Sequence, residues 1–537
     1  MEFAFNKRQV VDMTASFDSM ISSLSMRERV RDAYWTRRDP IVKDRLQWRS
    51  QSFRHIMHLL PRQTILEFGC GDAIFTRCLV DTTRDECAIT AVTFTPGALR
   101  PINLPESVEF VPLSQVLDPQ TGRKFDFVIA HDMLDRQSGS WVLTQVYDLL
   151  APGGQVLFYE TNPWNVILKV RRLLMRLWRR HDDPRLLLSR SNLYELLSEV
   201  GFIGIFAIYN DFVYAPLTRH LVWMLRNLSI VLENIPGVRT LAGSILLYAQ
   251  KPPRPISLPQ AALTIDDRFR RSVSVVVPCH NEEMNVEPLV SRLCNLYGEY
   301  IHEIILVDDN SSDGTRNVIS ALVDTDPRIK PVYRTAPNGV GRAIRDGLCA
   351  ATGDYVLSLD CDFQHLLPEV RDMFDAATEG YDVVVGSRFS RHSVLLNYPW
   401  LKIIANRAFH LLSQLILVAR FRDLTNNLKL MRREVVENLI LLEPGFAVNA
   451  EIGLQLVIAR YRVKEVPISW IGRGVSMGTS SFRLSKAGGG YWRVLRRIWL
   501  RRFLGVGPYQ ALNIKPAERG NHYGSSSRPT RQVKAAR

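Results

Sequence analysis

The sequence predicts an α/β protein in which two open, mostly parallel sheets follow one another along the chain. Three observations predict it. A chain of 537 residues is several times the size of a typical single core. Short apolar, β-branched runs recur in two separate series, and each run ends in a glycine turn or a cluster of acids. Between the series, Lys251 to Pro259 holds four prolines in nine residues, a segment that can neither pair as a strand nor continue a helix.

Composition narrows the class. An apolar fraction of 46% excludes a largely disordered chain. Seven cysteines stand singly (Cys70, Cys78, Cys87, Cys279, Cys294, Cys349, Cys361), with no C-x-x-C pair. That pattern points to reduced thiols in a cytosolic compartment, not to a disulfide framework or a zinc site. The first residues carry early charges and no uninterrupted apolar stretch, so no cleaved signal is expected. The longest apolar run, Leu411 to Ala419, is about half of what a bilayer span needs, so the chain is not expected to cross a membrane by itself.

The net charge of +14 is unevenly placed. From Arg483 to Arg537 there are 13 Lys/Arg against one acid, Glu518, or +12. Such a zone predicts contact with an anionic surface. No nucleic-acid recognition module accompanies it, which favours phospholipid over nucleic acid.

In the first series, Thr64 to Phe68 is an apolar strand that runs into Gly69-Cys70-Gly71-Asp72, and a helical pattern follows (Ile74, Phe75, Cys78, Leu79). Glycines belong there because the backbone turns tightly and approaches a ligand at a helix start. Cys87 to Thr95, Phe125 to Ala130 and Gln155 to Glu160 read as further strands, the last preceded by Leu150-Ala151-Pro152-Gly153-Gly154. His131 and Asp132 follow a strand end where a substrate could be met, and Asp132 could equally start a helix.

These residues resemble the class I S-adenosylmethionine-dependent methyltransferases over roughly residues 45 to 250. Glu67, Gly69 and Gly71 match E-x-G-x-G, Leu150 to Gly154 match the L-x-P-G-G turn, and Ser191 to Phe202 match a late S-x-x-x-L-x-x-L-L-x-x-x-G-F helix. The resemblance implies S-adenosylmethionine at Glu67, Gly69, Gly71 and Thr93. Thr93 stands where the family places the acid that holds the ribose, and Leu113-Ser114 stand where a second acid is common. One neutral hydroxyl cannot make the bidentate contact of a carboxylate. Methyl transfer and a docking or regulatory role both remain open for this half.

In the second series four motifs occur in order: Val277 to Glu283, Glu303 to Thr315, Gly353 to Asp362 and Asp382 to Arg388. Each is a strand that delivers polar residues to its carboxyl end, where open α/β sheets bind ligands. Asp360 and Asp362, one residue apart at a strand end, can share Mg²⁺ or Mn²⁺ while leaving positions for phosphate oxygens. That ion neutralises a departing diphosphate, and Arg388 can add a guanidinium to the same phosphates.

From residue 273 to about 485 the chain resembles family 2 glycosyltransferases of the GT-A fold, in particular polyprenyl- and dolichyl-phosphate mannose or glucose synthases. The resemblance implies that Pro278, His280 and Glu282 form the nucleoside loop, with His280 replacing tyrosine. It places Val307 and Asp309 at the base and ribose, and Asp360, Cys361 and Asp362 in the D-x-D element. Gln364 becomes the third metal ligand, after Asp360 and Asp362, and Arg388 the phosphate-binding arginine. Arg473 and Ser481 fall in the R-x-x-G-x-S-K segment, where the spacing is two residues longer and Ser481 replaces lysine. Asp423-Leu424-Thr425 match D-L-T, Glu465 to Trp470 match E-V-P-I-x-W, and Asn427 to Lys429 depart from G-S-F-R.

The acceptor divides two readings. A phosphate is already an anionic nucleophile, whereas a sugar hydroxyl needs a base, commonly a carboxylate. Glu451 stands where hydroxyl-transferring relatives place that base, and lipid-phosphate relatives carry Glu there too. Asp362 and Glu451 are the expected catalytic residues.

The resulting expectation is two Rossmann-like domains in tandem. A methyltransferase-like parallel sheet occupies 1–252, a linker 253–271, a GT-A unit 272–503 and a basic disordered tail 504–537. The expected activity transfers a sugar from GDP-mannose or a UDP- or dTDP-sugar to a polyprenyl phosphate, the alternative acceptor being a sugar hydroxyl of a glycolipid or surface glycan. Basic amphipathic stretches at 166–180, 400–418 and 491–503 predict peripheral attachment to an anionic membrane on its cytoplasmic face.

Overall fold

The computed structural model describes residues 7–36, 39–165, 169–170, 187–213, 219–253, 261–362, 366–390, 392–396, 400–471 and 484–515. The chain divides into two compact units, Met1–Pro259 and Gln260–Arg537.

The first unit is built on a seven-stranded sheet, β1 (Thr64–Phe68), β2 (Ala88–Thr93), β3 (Glu109–Pro112), β4 (Phe125–His131), β5 (Leu150–Thr161), β6 (Ile203–Asn210) and β7 (Ser244–Gln250), in the order β3-β2-β1-β4-β5-β7-β6. All neighbours are parallel except β7, which runs antiparallel to both β5 and β6. The strands are apolar on both faces because helices cover them, so Ile65, Leu66, Phe68, Val128, Ile129 and Leu157 are all buried. Those helices include α1 (Lys7–Trp35), α2 (Pro40–Met57), α3 (Ile74–Thr83), α4 (Gly139–Leu149), α5 (Arg190–Val200) and α6 (Arg219–Leu232). Asp39 caps α2 by accepting from the Ile41 amide at 2.9 Å, with Pro40 at the first helical position. Gly201, in the left-handed region, ends α5 as the G-F motif requires.

The second unit holds β8 (Val273–Cys279), β9 (Ile301–Asp308), β10 (Ile329–Tyr333), β11 (Tyr355–Ser358), β12 (Val383–Ser387), β13 (Val394–Leu396), β14 (Lys429–Arg432), β15 (Val463–Pro467) and β16 (Ser469–Ile471). Seven of them form a sheet in the order β10-β9-β8-β11-β14-β12-β15, and β13 pairs with β16 separately. Strand β14 enters antiparallel between β11 and β12. Helices α7 (Glu283–Tyr297), α8 (Thr315–Thr325), α9 (Val340–Ala350), α10 (Leu367–Thr378), α11 (Trp400–Leu417), α12 (Val448–Ile458) and α13 (Leu484–Trp499) pack around it. Both units have the α/β, parallel-dominated sheets that the sequence predicts.

Three boundaries differ from expectation. Residues 261–271, assigned to the linker, pack on the second unit. The Leu263 amide bonds the Leu296 carbonyl, Ile265 bonds the Tyr300 hydroxyl, and Phe269 is fully buried against Tyr355 and Phe374. Residues 504–515, assigned to a disordered tail, also pack, because Tyr509 and Leu512 reach the core of that unit. The E-V-P-I-x-W run is two strands in two sheets, since the chain leaves the main sheet after Pro467.

Candidate active site

The crevice of the first unit opens at the carboxyl ends of β1, β2 and β4. Gly69 and Gly71 both take positive φ, and a Cβ on Gly71 would lie 1.9 Å from Asp32 Oδ2. The neighbour is thus a side chain of α1, and the same helix supplies much else. Glu28, fully buried, accepts from the amides of Gly71 at 3.2 Å and Phe94 at 3.0 Å, and from the hydroxyls of Thr93 at 3.1 Å and Thr95 at 3.3 Å. Asp32 accepts from the Asp72 amide at 2.7 Å. Arg31 donates to the carbonyls of Gly69 and His131 and pairs with Asp32. Arg27 pairs with Asp135 and donates to the Met133 carbonyl.

All four residues expected to hold S-adenosylmethionine line this crevice. Thr93 and Gly71 donate to Glu28, Gly69 accepts from Arg31, and Glu67 is buried beneath them. Thr76 donates to Glu67 Oε2 at 2.6 Å, while Oε1 has no partner among the described residues, and burial pushes this carboxyl up to about 8. The cofactor does not fit the arrangement described, since carboxylates of α1 already take the backbone donors it would use. His131 is held neutral by burial, stacked on Tyr159 and edged by Trp35 of α1 and by Phe75. Asp132 starts no helix; it accepts from the Thr161 amide and hydroxyl.

In the second unit, β8, β9 and β11 deliver their motifs to one edge. His280 is exposed on the rim, its Nδ1 3.0 Å from the Asp309 carbonyl, and Pro278 and Glu282 are half-buried beside it. The Glu282 amide donates to Thr315 Oγ1, and its carboxylate accepts from Asn285. Asp309 is nearly buried; it pairs with Arg334 and accepts from the Gly339 amide at 2.6 Å, so it fixes the loop that opens α9. Asp308, fully buried, is a brace, bound by Arg316 and the Ser311 amide.

Asp360 and Asp362 lie just past β11, both half-buried. Burial first, and the Asp362 carboxylate second, push Asp360 up to about 7. Two carboxylates that disfavour each other's charge at a strand end are a fitting donor pair for a hard divalent cation. Asn427 Nδ2 donates to Asp360 Oδ1 at 2.9 Å, and its Oδ1 accepts from Ser358 at 2.8 Å. Lys429, whose burial lowers it to about 7, donates to the Asn426 carbonyl.

Other predicted site residues are turned toward protein partners. Val307 is a core residue, buried against Gly347 on α9, because strand alternation turns it inward. Cys361 is buried with its thiol on Cys279, the opposite face from its neighbours in D-x-D. Arg388 is committed to Asp423 through Nε at 2.8 Å and an Nη at 3.0 Å, and to Thr425 at 2.9 Å. Asp423 is held far below the usual carboxylate range mainly by that guanidinium, against its own burial. Glu451 is fully buried and accepts from the amides of Leu442 and Glu443 and from the Tyr509 hydroxyl. Gln364, Arg473 and Ser481 lie outside the described residues, as does most of the stretch 166–180.

Sequence reasoning matched the D-L-T-N-N-L-K segment to a motif without giving it a role at the site, and it missed α1. The first carried a signal, since Asp423 and Asn427 are polar residues leading into an apolar strand. In α1 the charges of Arg27, Glu28, Arg31 and Asp32 recur at helical spacing on one face.

Residues 274–440 match the family model for glycosyl transferase family 2, and residues 34–204 match that for a methyltransferase domain. The dolichol-phosphate mannosyltransferase of Pyrococcus furiosus is 30% identical over 201 residues, 37% of this chain and 56% of that protein. The polyprenol monophosphomannose synthase of Mycolicibacterium smegmatis is 28% identical over 234 residues, 42% of this chain and 88% of that protein. The chain thus spans little more than half the length of the first relative. Glucosyl-3-phosphoglycerate synthase from Mycobacterium tuberculosis, solved with Mn²⁺ and UDP-glucose, is 20% identical, covering 44% of this chain and 80% of that one at a TM-score of 0.34. The chain therefore joins a methyltransferase domain to a family 2 glycosyltransferase domain.

Proposed function

We propose that the second unit transfers a sugar from a nucleotide sugar to a polyprenyl phosphate at a membrane surface. The observation that carries the choice of acceptor is the state of Glu451. A hydroxyl acceptor needs a base, and the carboxylate expected to serve is buried, with its oxygens occupied by two amides and a phenol. A phosphate acceptor needs none, and the two mannosyltransferase relatives are named for such lipids.

Asp360 and Asp362 would hold Mg²⁺ or Mn²⁺, with Gln364 the expected third ligand. The ion supplies Lewis-acid neutralisation of the leaving diphosphate. Asn427 orients Asp360 through its bond to Ser358. Asp309 and His280 shape the nucleoside end, and Arg388 fixes the 423–427 turn through Asp423.

The membrane reading rests on a surface. Phe409 of α11 packs on Tyr491 of α13 at 5.0 Å, and around them Leu411, Leu415, Trp492, Trp499 and Phe503 are exposed. Arg496 and Arg502 are exposed beside them. Apolar and aromatic side chains bordered by arginines suit an anionic lipid interface. No helix among the described residues is long and apolar enough to cross a membrane.

The test supplies purified full chain with Mn²⁺, labelled GDP-, UDP- and dTDP-sugars, and vesicles containing polyprenyl phosphate. The expected product is extractable into organic solvent and acid-labile. An acid-resistant, alkali-stable product would overturn the acceptor assignment.

A further inference from the structure

In the first crevice, the donors of the glycine turn are taken by a segment of the chain. The turn after β1 and the end of β2 present a cluster of donors: the amides of Gly71, Asp72 and Phe94 and the hydroxyls of Thr93 and Thr95. Each of them bonds Glu28 or Asp32 of α1. The close-approach space beside Gly71, where any Cβ would collide, is filled by the Asp32 carboxylate. Arg27 and Arg31 anchor the same helix to the carbonyls after β1 and β4.

The fit is incomplete in one respect. Glu67 Oε1 is buried with no hydrogen-bond partner among the described residues, and a buried polar atom left unmet is costly. The helix therefore matches the donors of the crevice and leaves this buried carboxyl oxygen unmet. A ligand carrying a carboxylate for the donors and an ammonium group, whose charge would draw Glu67 into its ionised form, would satisfy both, and S-adenosylmethionine carries both.

We propose that α1 is the resident occupant of this crevice, docked where S-adenosylmethionine would bind, and that the cofactor enters only when α1 leaves. The first unit is then a methyltransferase fold held closed by its own N-terminal helix. The crevice acts as a docking site whose usual ligand is the face bearing Arg27, Glu28, Arg31 and Asp32. The apparent affinity for cofactor is reduced by the fraction of molecules in which the helix is undocked.

Isothermal titration of the full chain with S-adenosylmethionine tests this, comparing wild type, the double variant Glu28→Ala/Asp32→Ala, and Arg27→Ala. The last variant removes the Asp135 anchor without touching a donor of the crevice, so it loosens the helix by an independent route. Circular dichroism melts confirm that each variant is folded. Weak binding by wild type and at least about tenfold tighter binding by the variants is expected, as when a minor competent population becomes the major one. Hydrogen exchange gives a second readout. The Gly71 and Phe94 amides should be protected in wild type without cofactor, exposed in the double variant, and protected again when cofactor is added. Tight one-site binding by wild type that the substitutions leave unchanged or weaken overturns the proposal. So does a folded variant that still ignores the cofactor.

Discussion

Replacing Glu451 by alanine separates a structural carboxylate from a catalytic one. In the native unit it is fully buried and receives the Leu442 amide at 3.0 Å, the Glu443 amide at 3.0 Å and the Tyr509 hydroxyl. Alanine leaves three donors without an acceptor. Each orphaned buried donor costs about 1–3 kcal/mol, and allowing for relaxation the total should be roughly 4 kcal/mol. In a unit of this size each kcal/mol moves the Tm by about 2–4 °C, so its transition should fall by about 10 °C. Tyr509→Phe removes one of the three bonds and should lower it by about 3–6 °C. Because the two side chains share a bond, the double variant should lose less than the sum, by about 1 kcal/mol or more. Differential scanning calorimetry resolves the transition, and sugar transfer is assayed below it. If Glu451→Ala melts within about 2 °C of wild type yet loses turnover by about 1000-fold, the carboxylate is a base and the reasoning fails.

Three further outcomes follow from the two sites. Asp360→Asn/Asp362→Asn should lower sugar transfer at least about 100-fold, and a chelator should do the same to wild type until Mn²⁺ is restored; unchanged turnover in either case removes the metal assignment. Asn427→Ala frees Asp360 from its bridge to Ser358, and the Mn²⁺ needed for half-maximal activity should rise about 10–100-fold at similar Tm, whereas an unchanged Mn²⁺ curve would contradict the orienting role. Glu67, pushed up from 4.5 to about 8 by burial, stays protonated in the folded state where the unfolded chain has already ionised. It therefore withdraws stability as pH rises from 4.5 to about 8, by at most roughly 5 kcal/mol, and Glu67→Gln should flatten that loss in the first unit's melting curve. Parallel pH curves for wild type and variant would contradict it.

What the sequence disclosed depended on how local the determinant was. The glycine turn at 69–71 and the Asp-x-Asp pair sit on contiguous strand–turn units, and both emerged at the edges predicted for them. Arg388 was legible as a basic residue at a strand end, but its partner, Asp423, lies 35 residues on, and only the antiparallel return of β14 brings them together. The side chains of Val307 and Cys361 turn inward for a simpler reason. Neighbours in an extended chain face opposite ways, so a motif's interior letters often belong to the core. Tyr509 was hidden because a Gly- and Pro-containing stretch looks unstructured until a buried carboxylate needs its hydroxyl. The role of α1 was invisible for the same kind of reason, since charges that look solvated on a helix can be aimed at backbone amides more than forty residues away.

The late, antiparallel entry of β14 has a consequence for how the enzyme comes into being. Ser358 pairs with Lys429, and Asn427, two residues before it, touches Asp360, so the aspartate pair proposed to hold a metal gains this support only after the chain has passed residue 429. A nascent polypeptide that stops short of that point carries both aspartates on a sheet with an open seam between β11 and β12. The support of Asp360 is in this way tied to synthesis of the chain well beyond the strand that carries it.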